Sequence, residues 1–348
     1  MRLLPTVTVV IDPYGEYRRP REAGIPFESA LRGLLDQTYP PELVSIVLTC
    51  NAAEMPLVQP LIVSEPRIRA VRVPDGSGYY QKKNFGAIAA DTELVLLADG
   101  DCLYPGDWVH EMVAAFDRAG PRVAAVQGVS QFAPGPFAHI LNPVYWRGYE
   151  PEGPINQIYS AHNLGLRRED VPRFLFEDTP LRAGLERPLS TRIRRAGRLI
   201  WHNRRTRVLH EGSSSLAELK MQALGRGYYR MILWRRHPTA LDRLLRPLGY
   251  LGVPIYVLLV SVRDSGRQLR DLRSRGLVGR GLLRLPAYIA FTIGFHVVGG
   301  LSMLRVLRHV SRTGTFPVPE FYGQDRPPDL GERTRTRTPA GRGVDEPG

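Results

Sequence analysis

Along the first part of the chain, short apolar runs alternate with segments in which apolar residues recur every three or four positions. The apolar, β-branched runs predict strands at Val7 to Ile11, Val44 to Leu48, Ile68 to Val73, Leu94 to Ala98 and Val123 to Val129. The helical spacing predicts helices at Phe27 to Leu35, Lys82 to Ala90 and Trp108 to Arg118. Strands separated by helices are typical of a mainly parallel sheet with helices on both faces, so we predict an α/β fold.

The pattern continues less regularly beyond this part. Ser190 to Ala196 has helical spacing, and Leu199 to Leu209 is strand-like. Ser215 is followed three residues later by Glu218, which predicts a helix start with a capping box. Because ligands of such sheets bind beyond the carboxyl ends of the strands, candidate chemistry is expected where the apolar runs end.

Two strongly apolar segments, Leu248 to Val262 and Leu282 to Leu304, flank an arginine-rich segment. A spanning helix needs about 20 apolar residues. The first segment is shorter, and the second contains Arg284, Pro286 and His296. If both spanned, with the catalytic part in the cytosol, the arginines between them would lie outside, against the positive-inside rule. The pattern favours amphipathic helices in the membrane interface, with arginines at anionic headgroups; burial in a soluble domain is the alternative.

Composition narrows the class of protein. The chain has 348 residues, 43% of them hydrophobic, a formal charge of +13 and two cysteines. These values predict a folded protein, and the charge suits phosphates, nucleic acid or anionic lipid. Cys50 and Cys102 are too few for a disulfide framework and lack the spacing of a zinc site, which favours a reducing cytosol. The N-terminal apolar stretch is short and flanked by proline, so it predicts a strand and not a signal peptide.

Two carboxylates, Asp99 and Asp101, follow directly after the apolar run that ends at Ala98. Two carboxylates at this spacing can share a divalent cation and the phosphates that it carries, because hard cations prefer oxygen ligands. Asp-x-Asp pairs are also common in loops, where Asp99 would cap the backbone near Gly100. The wholly apolar run before the pair favours the functional interpretation.

Several segments resemble family 2 glycosyltransferases in the same order. NFGAIAADTELVLLADGDCLYPGDWV is similar to the helix and strand that lead to the family's Asp-x-Asp motif. Further similar segments are PYGE, LRGLLDQTYPPELVSIVLT, AHNLGLRREDV and LSTRIRRAGRLIWHNRRTRVLHEG. The resemblance covers the chain from about Thr6 to Pro238. It implies a GT-A fold and an inverting, membrane-associated hexosyltransferase of bacterial type, with a nucleotide-sugar donor and a lipid-linked or glycan acceptor.

The same resemblance implies roles for individual residues. Asp99 would contact the donor's ribose or sugar, and Asp101 would bind Mg²⁺ or Mn²⁺ at the diphosphate, with Asp99 and His210 assisting at the metal. Lys83 and Asn84 would contact the donor. For His210 the alternative is a structural role.

Other positions follow from the resemblance. The nucleotide-binding turn would consist of Pro13, Tyr14 and Glu16. Arg226, flanked by two glycines, would contact the donor diphosphate, and Asn163 and Arg167 would lie on the acceptor side. The alternatives are a Tyr14 ring packed over the sheet edge and a solvated arginine face on an amphipathic helix.

An inverting transfer also needs a base that takes the acceptor's proton. The family's Glu-Asp-x-x-Leu motif has two candidate matches here. Asp178 lies in a literal match, but Pro180 and Gly184 oppose a helix that would begin there. Glu186 lies in the base position of a segment that matches the family helix in register, although a leucine stands where the family has Glu. We favour Glu186 over Asp178.

The chain also departs from the family. Where the family has Asp-Asp-Gly-Ser after the second strand, this sequence has Thr49-Cys50-Asn51-Ala52. Either Asn51 or a hydroxyl replaces the aspartate that reads the base, or the nucleotide specificity differs, which leaves UDP, GDP and dTDP open. Two other functions remain: a sugar-phosphate nucleotidyltransferase, or a non-catalytic basic protein that binds membranes or nucleic acid. The loop after the first strand lacks the glycine run of the former, and no nucleic-acid motif is found.

Together, these features predict three regions. Residues 1–212 would form the catalytic domain, 213–322 a helical, membrane-associated region and 323–348 a disordered tail rich in proline, glycine and charge. The protein would act at the cytoplasmic face of the cell membrane, with an anionic membrane surface as a partner and no nucleic acid.

Overall fold

The computed structural model describes residues 4–13, 26–135, 137–146, 150–179, 183–212, 215–274 and 280–317. Its strands are β1 Val7–Asp12, β2 Val44–Cys50, β3 Ile68–Arg72, β4 Leu94–Asp99, β5 Cys102–Leu103, β6 Val123–Phe132, β7 Gly153–Ile155, β8 Leu164–Arg167 and β9 Leu199–His210. Its α-helices are α1 Phe27–Leu35, α2 Met55–Ser64, α3 Tyr79–Ala89, α4 Trp108–Ala119, α5 Ala138–Tyr145, α6 Glu186–Arg195, α7 Leu216–Arg236, α8 Ala240–Leu245, α9 Gly252–Ser274 and α10 Arg280–Thr313.

The strands form one sheet in the order β3-β2-β1-β4-β8-β6-β9-β5, and β7 also pairs with β9. β3, β2, β1 and β4 are parallel, as are β6 and β9. β8 is antiparallel to both β4 and β6, and β5 and β7 are antiparallel to β9. The predicted α/β fold is confirmed, with a sheet that is parallel in its first half and mixed in its second.

Apolar layers cover both faces of this sheet. All six residues of β1 are buried, which explains the continuous apolar run of that strand. Val9 belongs to a core with Phe27 of α1 and Trp108 of α4. Val10, which points to the opposite face, belongs to a core with Tyr80 of α3. Polar side chains can therefore meet where these buried strands end.

The C-terminal helices extend the second of these cores. Tyr229 and Ile232 of α7 and Val306 of α10 join the same apolar cluster as Tyr80. The two helices approach closely, since a Cβ atom at Gly227 would lie 2.0 Å from the carbonyl oxygen of Gly299. Only glycine fits this contact. The division at residue 212 stays a prediction.

The two most apolar helical segments are Ala240–Arg273 and Leu285–Thr313, both long and apolar enough to cross a membrane. Only 28% of the most apolar window of each is buried inside the protein. Leu258 and Val262 of α9 are 63% and 65% exposed, and Leu301 of α10 is 50% exposed. The helix pair therefore presents an apolar surface outside the core.

The structure confirms the predicted strands and helices, with small changes at their ends. α6 begins at Glu186, four residues before the predicted start, and Ser215 Oγ accepts the Glu218 amide at the start of α7. The sequence pattern missed α2, α5, α8, β5, β7 and β8. α2 contains Pro60, and the three strands have only two, three and four residues, too short for a recognisable period. The predicted tail at 323–348 lies outside the described residues.

Candidate active site

The carboxyl ends of β1 and β4 place two aspartates next to each other. The strands are parallel, and Asp12 is in register with Asp99. Both residues are buried. Two neighbouring carboxylates in a buried place repel each other unless a cation lies between them.

Lys83 of α3 provides that cation. Its Nζ lies 2.7 Å from Asp12 Oδ1 and 2.5 Å from Asp99 Oδ1, and it also donates to the carbonyl of Ala98. Burial opposes the charge of Asp99, but the charge and hydrogen bond of Lys83, together with the neighbouring His162 and His210, lower the pKa of this carboxyl. Asp99 is therefore an ionised carboxylate at a fixed place. The direct donor contact of Lys83 stays a prediction, because its ammonium is engaged by the two aspartates.

Asp99, Asp101 and His210 form a group of three potential metal ligands. One oxygen of each carboxylate and one nitrogen of the imidazole lie within 4.8 Å of one another. β5 follows Asp101 directly, and its pairing with the end of β9 brings His210 to this point. The amide of Glu211 donates to the carbonyl of Asp101 at 3.0 Å and closes the turn.

The orientation of His210 also fits a ligand. Its Nδ1 lies 2.6 Å from the carbonyl oxygen of Glu211, and its Nε2 lies 3.6 Å from Asp101 Oδ1. A ring nitrogen that donates to a carbonyl leaves the other nitrogen free to bind a metal. Burial opposes the charged ring, but the carboxylates of Asp101 and Asp99 and the hydrogen bond to the Glu211 carbonyl together raise the pKa of His210. Two carboxylate oxygens with one imidazole suit a cation such as Mg²⁺ or Mn²⁺.

Two consecutive tyrosines at the start of α3 connect this group to Glu186. The hydroxyl of Tyr79 donates to Asp99, 2.9 Å from Oδ2. The hydroxyl of Tyr80 donates to Glu186 Oε1 at 2.8 Å, and the two rings are in edge-to-face contact. Glu186 lies at the first position of α6, where the amide of Gly184 donates to its other oxygen at 3.1 Å. Burial raises the pKa of Glu186, as expected of a group that can accept a proton near neutral pH.

The competing candidate base lies in a different setting. Asp178 is exposed, and it accepts a hydrogen bond from Gln81 Nε2 in the first turn of α3. No helix begins at Asp178, in agreement with the expectation from Pro180 and Gly184. Glu186 is thus the carboxylate that the tyrosine pair connects to Asp99.

The two predicted asparagines near the sheet edge are engaged in local hydrogen bonds. Asn84 exchanges two hydrogen bonds with the backbone of Phe176, at 2.8 and 2.9 Å. Asn51 follows β2, and its side-chain oxygen accepts the amide of Glu54 at 3.0 Å. Each therefore holds a segment next to the candidate site. Their donor contacts stay predictions.

Of the predicted nucleotide-binding turn, the structure describes Pro13, which is buried directly after β1. Tyr14 and Glu16 lie outside the described residues.

The two predicted acceptor-side residues lie at different ends of β8. β8 is antiparallel to β4, so Asn163 lies beside the carboxyl end of β4, whereas Arg167 pairs with Leu94 at its start. Asn163 accepts the indole N–H of Trp108 at 2.8 Å. Arg167 donates to three backbone carbonyls, among them Val123 at 2.8 Å. The structure does not bring Arg167 together with the aspartates.

Sequence reasoning missed His162, although it lies next to Asn163. Its Nδ1 is 3.8 Å from Asp99 Oδ2, and its ring centroid is 4.7 Å from that of His210. Burial lowers the pKa of His162 to about 3, so the ring is neutral. The available signal was the position of His162 just before β8, which runs antiparallel to β4. The sequence of β8 is too short to show the direction of that strand.

Arg226 of α7 faces the same region from the other side. Its guanidinium lies 3.8 Å from the ring centroid of Tyr145 and 5.8 Å from that of Phe295. Trp146, next to Tyr145, has its ring centroid 5.8 Å from that of His210. The rings of Tyr145 and Trp146, here called the aromatic wall, thus lie between Arg226, the predicted diphosphate ligand, and His210 of the candidate metal site.

Comparison with known proteins agrees with this geometry. Residues 27–173 match the model of glycosyl transferase family 2. No curated protein has a significant sequence match to the chain. The mannosyltransferase PcManGT from Pyrobaculum calidifontis, in complex with GDP-Man and Mn²⁺, is similar in structure with a TM-score of 0.52 and 16% identity. The similarity covers 87% of this chain and 88% of that chain.

Residues 1–349 of TarS from S. aureus are also similar, with a TM-score of 0.48 and 11% identity over 91% of this chain and 95% of that chain. The observed sheet and the similarity to PcManGT show the GT-A fold. The fold is that of the GT-A glycosyltransferases, and the match to glycosyl transferase family 2 covers residues 27–173.

Proposed function

We propose that the protein is a metal-dependent, inverting glycosyltransferase that moves a hexose from a nucleotide sugar to a hydroxyl of a lipid-linked or glycan acceptor. The observation that carries the proposal is the convergence of Asp99, Asp101 and His210 at one sheet edge, with Glu186 connected to them through Tyr79 and Tyr80.

The aspartates and His210 hold the donor end of the reaction. Asp101 and His210, with Asp99, are the residues that would hold Mg²⁺ or Mn²⁺, and their oxygen and nitrogen donors fit either ion. When bound, the cation neutralises charge on the diphosphate as it leaves. The complex of PcManGT with GDP-Man and Mn²⁺ is consistent with this assignment. Asp99, fixed by Lys83 and Tyr79, orients the ribose or sugar.

Glu186 carries the proton transfer. It takes the proton from the acceptor hydroxyl while the acceptor oxygen bonds to the anomeric carbon and the bond from that carbon to the diphosphate oxygen breaks. The nucleoside diphosphate leaves from the opposite face, so the configuration inverts. Burial keeps the pKa of Glu186 raised, which makes its carboxylate a stronger base.

Arg226 supports the leaving group. Its guanidinium is held over Tyr145, next to the aromatic wall that reaches His210. A guanidinium stacked on a ring keeps its N–H donors free for phosphate oxygens. This position suits the diphosphate or a phosphate on the acceptor.

The helix pair α9 and α10 supports a membrane-bound place of action at the cytoplasmic face. Exposed apolar side chains cover its outer surface, and an apolar groove of about 540 Å³ lies between the helices. Arg263 is half exposed in the middle of α9, where the arginine-rich half of the helix begins; it pairs with Asp264 and lies within reach of anionic headgroups. The groove favours a lipid-linked acceptor over a soluble glycan.

The test is a transfer and donor-hydrolysis assay with UDP-, GDP- and dTDP-sugars, with and without Mn²⁺. We expect turnover with at least one donor only with the metal, and a loss on the order of 10³-fold in Asp101→Ala. Asp107→Ala is the matched control, since Asp107 is exposed on the same loop and makes no capping hydrogen bond. Full activity of Asp101→Ala, or turnover without any divalent cation, would contradict the proposal.

The family match favours transfer over the nucleotidyltransferase alternative. Release of pyrophosphate from a nucleoside triphosphate and a sugar phosphate would reverse this preference.

A further inference from the structure

A second group of potential metal ligands lies beside the first and includes a thiol. Cys102 Sγ and one ring nitrogen each of His162 and His210 lie within 4.8 Å of one another. Both cysteines of the chain are free, and Cys102 is fully buried. No sequence motif indicates this group, because its members are 60 and 48 residues apart along the chain.

The sheet topology brings the three residues together. Cys102 of β5 is directly opposite His210 of β9 in an antiparallel ladder, and opposite residues of such a ladder point to the same face. His162 reaches the same point because β8 runs antiparallel to β4. The backbone fold therefore places the three residues next to one another.

Both imidazoles have a hydrogen-bond partner on the nitrogen that faces away. His210 Nδ1 is 2.6 Å from the Glu211 carbonyl, which makes Nε2 the lone-pair nitrogen. His162 Nε2 is 2.9 Å from Ser130 Oγ, and in the tautomer that donates this hydrogen bond, Nδ1 carries the lone pair. Outer partners of this kind orient histidines that bind metals.

The surroundings favour a soft cation. Trp146 packs edge-to-face on His162, with ring centroids 5.1 Å apart, and Phe132 does the same on His210 at 5.9 Å. One sulfur and two imidazole nitrogens are ligands that Zn²⁺ prefers, whereas Mg²⁺ takes oxygen ligands. Three protein ligands leave one position open.

We propose that Cys102, His162 and His210 form a Zn²⁺ site that shares His210 with the Asp99 and Asp101 site. On binding, the sulfur bonds to the ion and the thiol proton is released to solvent. Since His210 cannot serve both ions at once, Zn²⁺ displaces Mn²⁺. This second part depends on the proposed metal role of Asp101 and His210, whereas Zn²⁺ binding itself does not.

The first experiment measures Zn²⁺ affinity of the full chain against a chromogenic chelator. We expect one Zn²⁺ per chain, bound at least tenfold more weakly in Cys102→Ser. Cys50→Ser is the matched control, since Cys50 is also free and fully buried but ends β2, far along the sheet from β5, and we expect this variant to bind as the wild type does. Equal Zn²⁺ affinity in Cys102→Ser and the wild type would overturn the site.

A second measurement needs no variant. Co²⁺ added to the wild-type protein should produce a near-ultraviolet thiolate-to-metal charge-transfer band, and Zn²⁺ should remove it. Co²⁺ binding without that band would show that the thiol is not a ligand and would overturn the site.

The shared ligand is tested by the electron paramagnetic resonance signal of free Mn²⁺. We expect one equivalent of Zn²⁺ to release bound Mn²⁺ from the wild type and Cys50→Ser, and at least tenfold more Zn²⁺ to be needed in Cys102→Ser. Zn²⁺ bound through Cys102 with Mn²⁺ retained would overturn the sharing of His210. Failure of the proposed function has a different signature, which is Mn²⁺ binding and turnover unchanged in Asp101→Ala.

Discussion

The carboxyl edge of the sheet buries charged side chains, whereas the α9–α10 helix pair exposes apolar ones. At the edge, charged groups are buried and paired, with Lys83 between Asp12 and Asp99 and Lys82 bound to Glu54 at 2.6 Å. On the helix pair, large apolar side chains are exposed. Each arrangement lowers the free energy of unfolding, because buried charges lose their hydration and exposed apolar surface stays in contact with water. Such departures are expected where a protein binds something, a donor at the edge and a membrane at the helices.

The largest expected effect concerns the base at the edge. Glu186→Gln keeps the size of the side chain but cannot take a proton, so we expect kcat to fall on the order of 10³-fold while donor binding is retained. Steady-state transfer kinetics and donor titrations measure the two quantities separately. Asp178→Asn is the control, and a larger loss in it than in Glu186→Gln would reassign the base.

The second prediction concerns the buried charges. Lys83→Met leaves Asp12 and Asp99 without their cation, and we expect it to lower the free energy of unfolding by about 3–5 kcal/mol. Chemical denaturation measures this change. Lys220→Met on the exposed side of α7 is the control and should change stability by less than about 0.5 kcal/mol. Equal stability of the two variants would show that the buried pairs are not needed for the fold.

The third prediction uses pH. A base works only when deprotonated, so activity falls as the pH drops through the pKa of Glu186, which burial raises above its ordinary value. The hydrogen bond from Tyr80 opposes this shift. Tyr80→Phe should therefore move the acidic limb of the kcat profile to higher pH. An acidic limb that stays in place or moves to lower pH would show that Glu186 is not the base.

The smallest expected effect is on the helix pair. Leu258→Asp places a charge on the exposed apolar face of α9, and we expect binding to vesicles with anionic lipid to weaken by about tenfold. Sedimentation with vesicles measures it. Leu57→Asp, an exposed leucine on α2 outside the helix pair, is the control. If both variants bind vesicles equally well, the apolar face is not the membrane contact.

The edge was more predictable from the sequence than the residues around it. An apolar run that ends in Asp99 and Asp101 indicates a buried strand followed by polar chemistry, and the structure has both residues at the edge. The apolar spacing predicted this helix only from Ser190, whereas the family resemblance implied a position for Glu186 at the start of the helix, where the structure has it.

His162 and Cys102 could not be predicted in the same way. Their positions depend on β8 and β5, strands of four and two residues that have no period of their own. They form because longer neighbours supply the partner hydrogen bonds. The antiparallel pairing in the second half of the sheet could not be predicted either, because the direction of a strand depends on its pairing partners and not on its own sequence.

The most direct test is calorimetry of nucleotide-sugar binding to the wild type, Asp101→Ala and Glu186→Gln, with and without Mn²⁺. We expect at least one UDP-, GDP- or dTDP-sugar to bind the wild type and Glu186→Gln only with Mn²⁺, and we expect Asp101→Ala not to bind it in either condition. Equal donor affinity of all three proteins without Mn²⁺ would show that this sheet edge does not hold the donor through a metal.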